Sequence, residues 1–359
     1  MQKLKEKIGQ MMMIGIQGEE LTRDENRLIE NYPFGGFILF SHNLKEPKQI
    51  LSLCSSLWEI SEDAPPFVAI DQEGGRVHRL PAPFTHFPPA ATLGRTANPE
   101  LPYKVGVATA RELSAVGINL NFSPVLDVNS NPTNPVIGDR ALSFDPEQVT
   151  QLGWSVVRGL RTGGIIPCAK HFPGHGDTSE DSHLVLPIVK KDNASLRAVE
   201  LKPFVYACQN QVESLMTAHV LYPALDPQYP ATLSQKIIAD LLRKELCYEG
   251  VVFGDDMEMK AIAENYRLEE ASALSVGAGV DVLMFCHQQE AAVRAFEFLH
   301  REAEKNKEIR TRMNESDQRI RRLKERFLKS PAGVCEEDLN NRIGLPEHHK
   351  IIEEIQGSL

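Results

Sequence analysis

Paired cysteines are missing from this sequence. Its six cysteines, Cys54, Cys168, Cys208, Cys247, Cys286 and Cys335, stand singly, with no Cys-x-x-Cys among them. That excludes a zinc ribbon and a disulfide scaffold, and it fits free thiols in a reducing compartment. Basic charge is also scarce: 39 Lys and Arg stand against 49 Asp and Glu, a net charge of −10. A nucleic-acid surface would need clustered Lys and Arg, so no nucleic-acid partner is expected. No apolar run approaches the roughly 18 residues of a membrane span. The apolar stretch Met11–Ile16 is too short for the core of a secretory leader, and no small-residue cleavage site follows it. The expectation is a cytoplasmic monomer with no membrane contact. Linkers rich in Ser and Gly, low-complexity blocks and internal repeats are absent too. So is a GxGxxG after the first apolar run, which argues against a dinucleotide-binding fold.

What the sequence does contain is enough apolar material for a large core. Hydrophobic residues make up 42% of the 359 and charged residues 25%, close to globular averages. Eight short, nearly all-apolar runs punctuate the chain: Met12–Ile16, Gly36–Phe40, Phe67–Ile70, Ile118–Phe122, Ile165–Ala169, Leu215–Ala218, Val251–Phe253 and Val282–Phe285. Such runs suit parallel strands buried on both faces. The segments between them have helical periodicity. Val149, Leu152, Val156 and Leu160 share one face, with Asp145 as N-cap, Pro146 at the first helical position and Gly163-Gly164 as the stop. Ser234 likewise caps a helix carrying Ile237, Ile238, Leu241 and Leu242. Eight strand-then-helix units predict an α/β fold of the (β/α)₈ barrel type, one domain over residues 1–330, followed by a polar tail over 331–359. The charged stretch from about 289 to 329 is expected as a solvated last helix.

Chemistry collects just after the strands, where barrel enzymes place it. Lys170-His-Phe-Pro-Gly-His-Gly-Asp-Thr-Ser-Glu-Asp-Ser-His183 follows the fifth strand. Its Pro173, Gly174 and Gly176 preclude a regular helix, so His171 and His175 cannot share a helix face as a zinc-binding pair would. A zinc reading of His171, His175, Asp177 and His183 is therefore weaker than a catalytic loop. Val251-Val-Phe-Gly-Asp-Asp256 delivers two carboxylates at a strand end. Strand neighbours point opposite ways, so one of Asp255 and Asp256 should face the pocket while the other caps or binds backbone amides. Phe67-Val-Ala-Ile-Asp-Gln-Glu-Gly-Gly-Arg-Val-His-Arg79 ends the third strand at Asp71, with Gly74-Gly75 permitting a tight turn. Asp127 and His219 read equally well as site residues or as structural hydrogen-bonders.

Together these segments resemble glycoside hydrolase family 3, and within it the bacterial β-N-acetylglucosaminidases of peptidoglycan recycling. The residues carrying the likeness are Ile70-Asp-Gln-Glu-Gly-Gly-Arg-Val77, Lys170-His-Phe-Pro-Gly-His-Gly176, Asp181-Ser-His183, Met216-Thr-Ala-His219 and Phe253-Gly-Asp-Asp256, over roughly residues 5 to 290. The resemblance implies Asp255 as nucleophile, His183 as general acid and base, and Asp181 as its partner. It implies Asp71, Arg140, Lys170 and His171 as sugar-binding groups, and Arg79 and His219 complete the expected substrate-binding set. Gly254 departs from the pattern, since relatives often carry serine there. The implied reaction is retaining, exo cleavage of terminal β-linked GlcNAc from GlcNAc-1,6-anhydroMurNAc and its peptide-bearing forms. It needs no metal or organic cofactor. A neutral imidazole base repels an anion less than a carboxylate does, so a β-glucosaminide phosphorylase is the alternative within the family. A catalytically silent sugar-binding protein is the alternative outside it.

Overall fold

The eight apolar runs become eight strands: β1 Met12–Gly15, β2 Gly36–Leu39, β3 Phe67–Ile70, β4 Leu120–Asn121, β5 Ile166–Phe172, β6 Ser214–Thr217, β7 Val251–Asp256 and β8 Val282–Phe285. They hydrogen-bond in sequence order as a closed barrel, every neighbouring pair parallel and β8 returning to β1 through Met12 and Leu283. The structure is a computed structural model and describes residues 2–61, 64–329 and 335–359. Among these no helix is long and apolar enough to cross a membrane. Phe253 fills the barrel interior, edge-on to Phe67 at 5.8 Å and to Phe122 at 5.6 Å.

The anticipated helix signals are used. Asp145 accepts from the Glu147 N–H at the start of the helix Pro146–Thr162. Ser234 accepts from the Ile237 N–H ahead of the helix Lys236–Glu245.

Three segments differ from expectation. β5 and β7 run beyond their apolar cores, so Lys170, His171, Asp255 and Asp256 lie within strands and not in the loops after them. Polar side chains can occupy strand ends here because each finds a partner at the barrel rim. The charged stretch near the end is not one solvated helix. It forms two, Gln289–Lys305 and Lys307–Phe327, with Asn306 capping the second. An apolar stripe of Phe296, Leu299, Met313 and Ile320 is hidden among the charges and buries against the barrel. Even Lys324 is buried, donating to Gln10 Oε1 at 2.6 Å and Gly35 O at 2.7 Å, 4.6 Å from the Phe67 ring.

The third difference is the tail. Residues 330–334 lie outside the described residues. Beyond them Glu336–Asn341 forms a short helical turn and Pro346–Gly357 a helix. Leu339, Ile343 and Ile355 join the main core, so a segment polar in composition is docked in structure. Its anchor is Glu112, buried on the helix Glu100–Ala115. Glu112 accepts from the Thr85 N–H at 2.9 Å, the Thr85 hydroxyl at 2.7 Å, the Gly344 N–H at 2.9 Å and His348 Nδ1 at 2.7 Å. Burial alone would raise this carboxyl, but these donors more than offset it and hold it below the usual range. Replacing Glu112 by Ala leaves the donors unpaired in the interior. The Glu112→Ala variant is expected to lose about 3 kcal/mol of stability in urea denaturation.

Candidate active site

The C-terminal rim of the barrel is organised around a buried cation. Lys170 on β5 has 3% of its side chain exposed, and its ammonium lies 2.6 Å from both Asp71 Oδ1 and Glu73 Oε1. Both carboxylates follow β3, two residues apart, and both reach the same ammonium. Arg140, from the β4 loop, closes on Glu73 with two parallel bonds of 2.8 Å. Burial opposes ionisation of Glu73, yet the Lys170 and Arg140 cations outweigh it and hold this carboxyl far below its ordinary value. The turn that returns the chain from Glu73 passes through Gly74 and Gly75 at φ of +96° and +55°, the left-handed region anticipated for them.

A second hub lies one strand over. Asp127 is fully buried and accepts from the His171 N–H at 3.1 Å, His171 Nδ1 at 2.7 Å and the His175 N–H at 2.6 Å. It is a structural hydrogen-bonder, which settles the choice left open by the sequence. Asn134 holds the same turn, donating to the carbonyls of His175 and Gly176. Gly176 is required there, since a Cβ would fall 1.6 Å from the Val128 carbonyl oxygen. The four residues of the zinc reading do not converge. His171 is spent on Asp127, His175 on Thr178 and Ser182, Asp177 on Lys191 and His183 on Asp181. Among the described residues no group of three or more His, Cys, Asp or Glu could hold a metal ion.

The loop beyond carries Asp181 and His183. Asp181 Oδ1 accepts from both the N–H and Nδ1 of His183, each at 2.8 Å. The imidazole is 63% exposed and lines a cavity at the barrel rim.

On β7 the pairing with β8 shifts register between Phe253 and Asp256, and such an irregularity re-aims side chains. As a result Asp255 and Asp256 both line the cavity, whereas simple alternation predicts one. The two differ in character. Burial would raise Asp255, but the neighbouring histidines His219 and His171 and the Asp256 N–H outweigh it and keep it ionised. Asp256 is dominated by burial and is pushed up to about 7. It accepts from the backbone N–H of Glu258 and of Cys286, the amide-binding role expected of the second carboxylate. His219 does not line the cavity. It is fully buried beneath the strand end, with Nδ1 at 2.8 Å from the Thr232 hydroxyl and Nε2 donating to the Asp256 carbonyl at 2.9 Å. The expected sugar contact is replaced by support of β7, because both ring nitrogens are already taken. Gly254 lies behind the pair with room to spare. A Cβ there would make ordinary contacts at 3.4 Å with Thr232 and 3.5 Å with Val280.

Asp71, Arg79, Arg140, Lys170, His171, Asp181, His183 and Asp255 all line one cavity of about 280 Å³. A larger groove, about 1260 Å³, runs along the flank between the helices Gln2–Gln10, Arg23–Asn31 and Pro47–Glu59, and none of these residues reaches it. The sequence reading missed Glu73, which sits inside a quoted motif two residues after Asp71. It also missed Phe40 and His287, stacked at 5.5 Å on the rim, for which no motif gave a signal. Arg79 stands 6.0 Å over the Phe40 ring. The arrangement offers an ionised carboxylate on a strand, an imidazole–carboxylate pair on a loop, and a wall of charged donors and acceptors suited to sugar hydroxyls.

Residues 3–323 match the model of the glycosyl hydrolase family 3 N terminal domain. The chain belongs to glycoside hydrolase family 3. Its similarities to relatives place it in the β-N-acetylhexosaminidase branch of the family. It is 38% identical over 286 residues to a β-hexosaminidase of Alkalilimnicola ehrlichii, covering 78% of this chain and 81% of the relative. It is 36% identical to β-hexosaminidase A of Pseudoalteromonas piscicida over 93% of this chain, and spans 60% of that relative's length. A family 3 β-N-acetylglucosaminidase structure from Paenibacillus sp. superposes with a TM-score of 0.93 at 39% identity, over 99% of this chain and 68% of that one. NagZ from Neisseria gonorrhoeae, in complex with N-trifluoroacetyl-D-glucosamine, gives 0.79 at 28% identity, over 97% of each chain.

The raised Asp256 has a consequence for stability. A carboxyl lifted from 3.8 to about 7 on folding leaves stability whole below about pH 4 and drains it as pH rises through 7. Asp256→Asn removes that drain. Its stability relative to the parent is expected to improve by on the order of 3 kcal/mol between pH 4 and pH 8 in urea titrations.

Proposed function

We propose that this chain is a retaining exo-β-N-acetylglucosaminidase releasing terminal, non-reducing β-linked GlcNAc. Its substrates are GlcNAc-1,6-anhydroMurNAc and related muropeptides of wall recycling in the cytoplasm, and it acts as a monomer. The observation that carries the reading is one cavity holding an ionised, strand-borne Asp255 and the Asp181–His183 pair.

Glycoside cleavage must relieve charge at two atoms of an oxocarbenium-like transition state. Asp255 attacks C1 and forms a covalent glycosyl ester, and its fixed place on β7 lowers the orientational cost of attack. His183, protonated, gives its Nε2 proton to the leaving oxygen as the glycosidic bond breaks. The neutral imidazole then takes a proton from water, which attacks C1 and frees Asp255. Asp181 holds Nδ1–H toward itself and stabilises the imidazolium in both half-reactions. Asp71, Lys170, Arg140, His171 and Arg79 bind the terminal sugar. The directional mix of donors and acceptors in this wall suits a terminal sugar, which supports exo action.

Mass spectrometry after incubation with a slow-turnover fluorosugar should find the label on Asp255. A label on Asp256, or products of inverted anomeric configuration, would overturn the assignment. His183→Ala is expected to lose about 10²- to 10⁴-fold in kcat on a chromogenic β-GlcNAc substrate. Phosphate stimulation with GlcNAc 1-phosphate as product would transfer the protein to the phosphorylases.

A further inference from the structure

We propose that Ser182, held by the buried imidazole of His175, is the positioning residue that aims the Asp181–His183 pair at the leaving oxygen. The proposal rests on the reading of His183 as acid and base. Ser182 is an anomaly within its loop. His183 is 63% exposed and Asp181 31%, while the residues that follow, Leu184 and Val185, are 58% and 44% exposed. Ser182 between the pair is only 2% exposed. A single residue is thus drawn into the protein while the two that would do chemistry stay out.

What draws it in is a chain of directional bonds. Ser182 Oγ lies 3.1 Å from His175 Nε2. His175 is 1% exposed, and its Nδ1 lies 3.0 Å from the Thr178 hydroxyl. Asn134 Nδ2 donates to that hydroxyl oxygen at 3.1 Å, and the same hydroxyl lies 3.2 Å from the His175 carbonyl oxygen, a second acceptor for its hydrogen. In either tautomer Nε2 pairs with the Ser182 hydroxyl, which can accept or donate. Burial pushes His175 down to about 4, so the ring stays a one-donor, one-acceptor strut throughout the neutral range. The His175 N–H is tied to Asp127, the residue that also fixes His171. The Ala261 N–H, in the short helix Lys260–Ala263 beyond β7, also donates to the Ser182 carbonyl at 3.3 Å. Ser182 is therefore referenced to the β4, β5 and β7 loops at once. Without its hydroxyl anchor, the backbone between Asp181 and His183 loses the connection that sets the imidazole's height over Asp255.

The test is leaving-group dependence. With Ser182→Ala and, as a second variant, His175→Asn, kcat/KM is measured on aryl β-GlcNAc substrates running from 2,4-dinitrophenyl to 4-methoxyphenyl, with His183→Ala as reference. A misaimed acid matters only where departure needs a proton. Both variants are expected to stay within about threefold of the parent on the dinitrophenyl substrate and to fall about 30-fold or more on the methoxyphenyl one, with GlcNAc inhibition unchanged. A loss equal across leaving groups, or no loss anywhere, would overturn the proposal. If His183→Ala itself shows an equal loss across the series, the reading of His183 fails and the proposal falls with it. The reference variant therefore separates the two failures.

Discussion

One buried ammonium organises the catalytic end of this barrel. Lys170 sits inside a strand, where an unpaired charge would cost several kcal/mol of desolvation. The chain answers with Asp71 and Glu73 from beyond β3, and Glu73 in turn anchors Arg140 from beyond β4. Two loops and a strand are tied by this one requirement of neutrality. The same cluster leaves a wall of oriented donors and acceptors facing the cavity, so the interaction that satisfies the fold also prepares a surface for hydroxyl-rich ligands.

The two halves of the proposed chemistry are mounted differently. Asp255 belongs to a strand, braced from below through His219 and the Thr232 hydroxyl. The imidazole of His183 belongs to a long loop and touches the frame chiefly through its neighbours. A nucleophile must meet one carbon within tenths of an ångström. A proton carrier must serve two oxygens in turn, one on the aglycone and one on water. Rigid support for the first and looser support for the second match those tasks.

Much of this was legible in the sequence, because parallel strands buried on both faces announce themselves as short apolar runs. All eight were found, and the closed sheet follows from them. The runs understated β5 and β7, whose last residues are charged or polar and are tolerated only through partners from other strands. Glu73 was overlooked for the same reason, since its partner Lys170 is brought to it by barrel closure and not by sequence proximity. Asp127 could be read two ways until its three donors were in place. His219 was grouped with the sugar-binding residues, but its burial and two occupied nitrogens turn it to supporting the strand that carries Asp255. Polarity also concealed the docked tail, where Leu339, Ile343 and Ile355 suffice to anchor a segment that otherwise looks solvated.

Gly254 has a wider bearing. The position directly before Asp255 could accept a methyl-sized addition without displacing Thr232 or Val280. Natural drift can therefore exchange a hydroxyl for nothing at this point while the barrel stays intact. Within the family, the electrostatic temper of the carboxylate that follows is thus free to diverge in lineages whose folds remain superimposable.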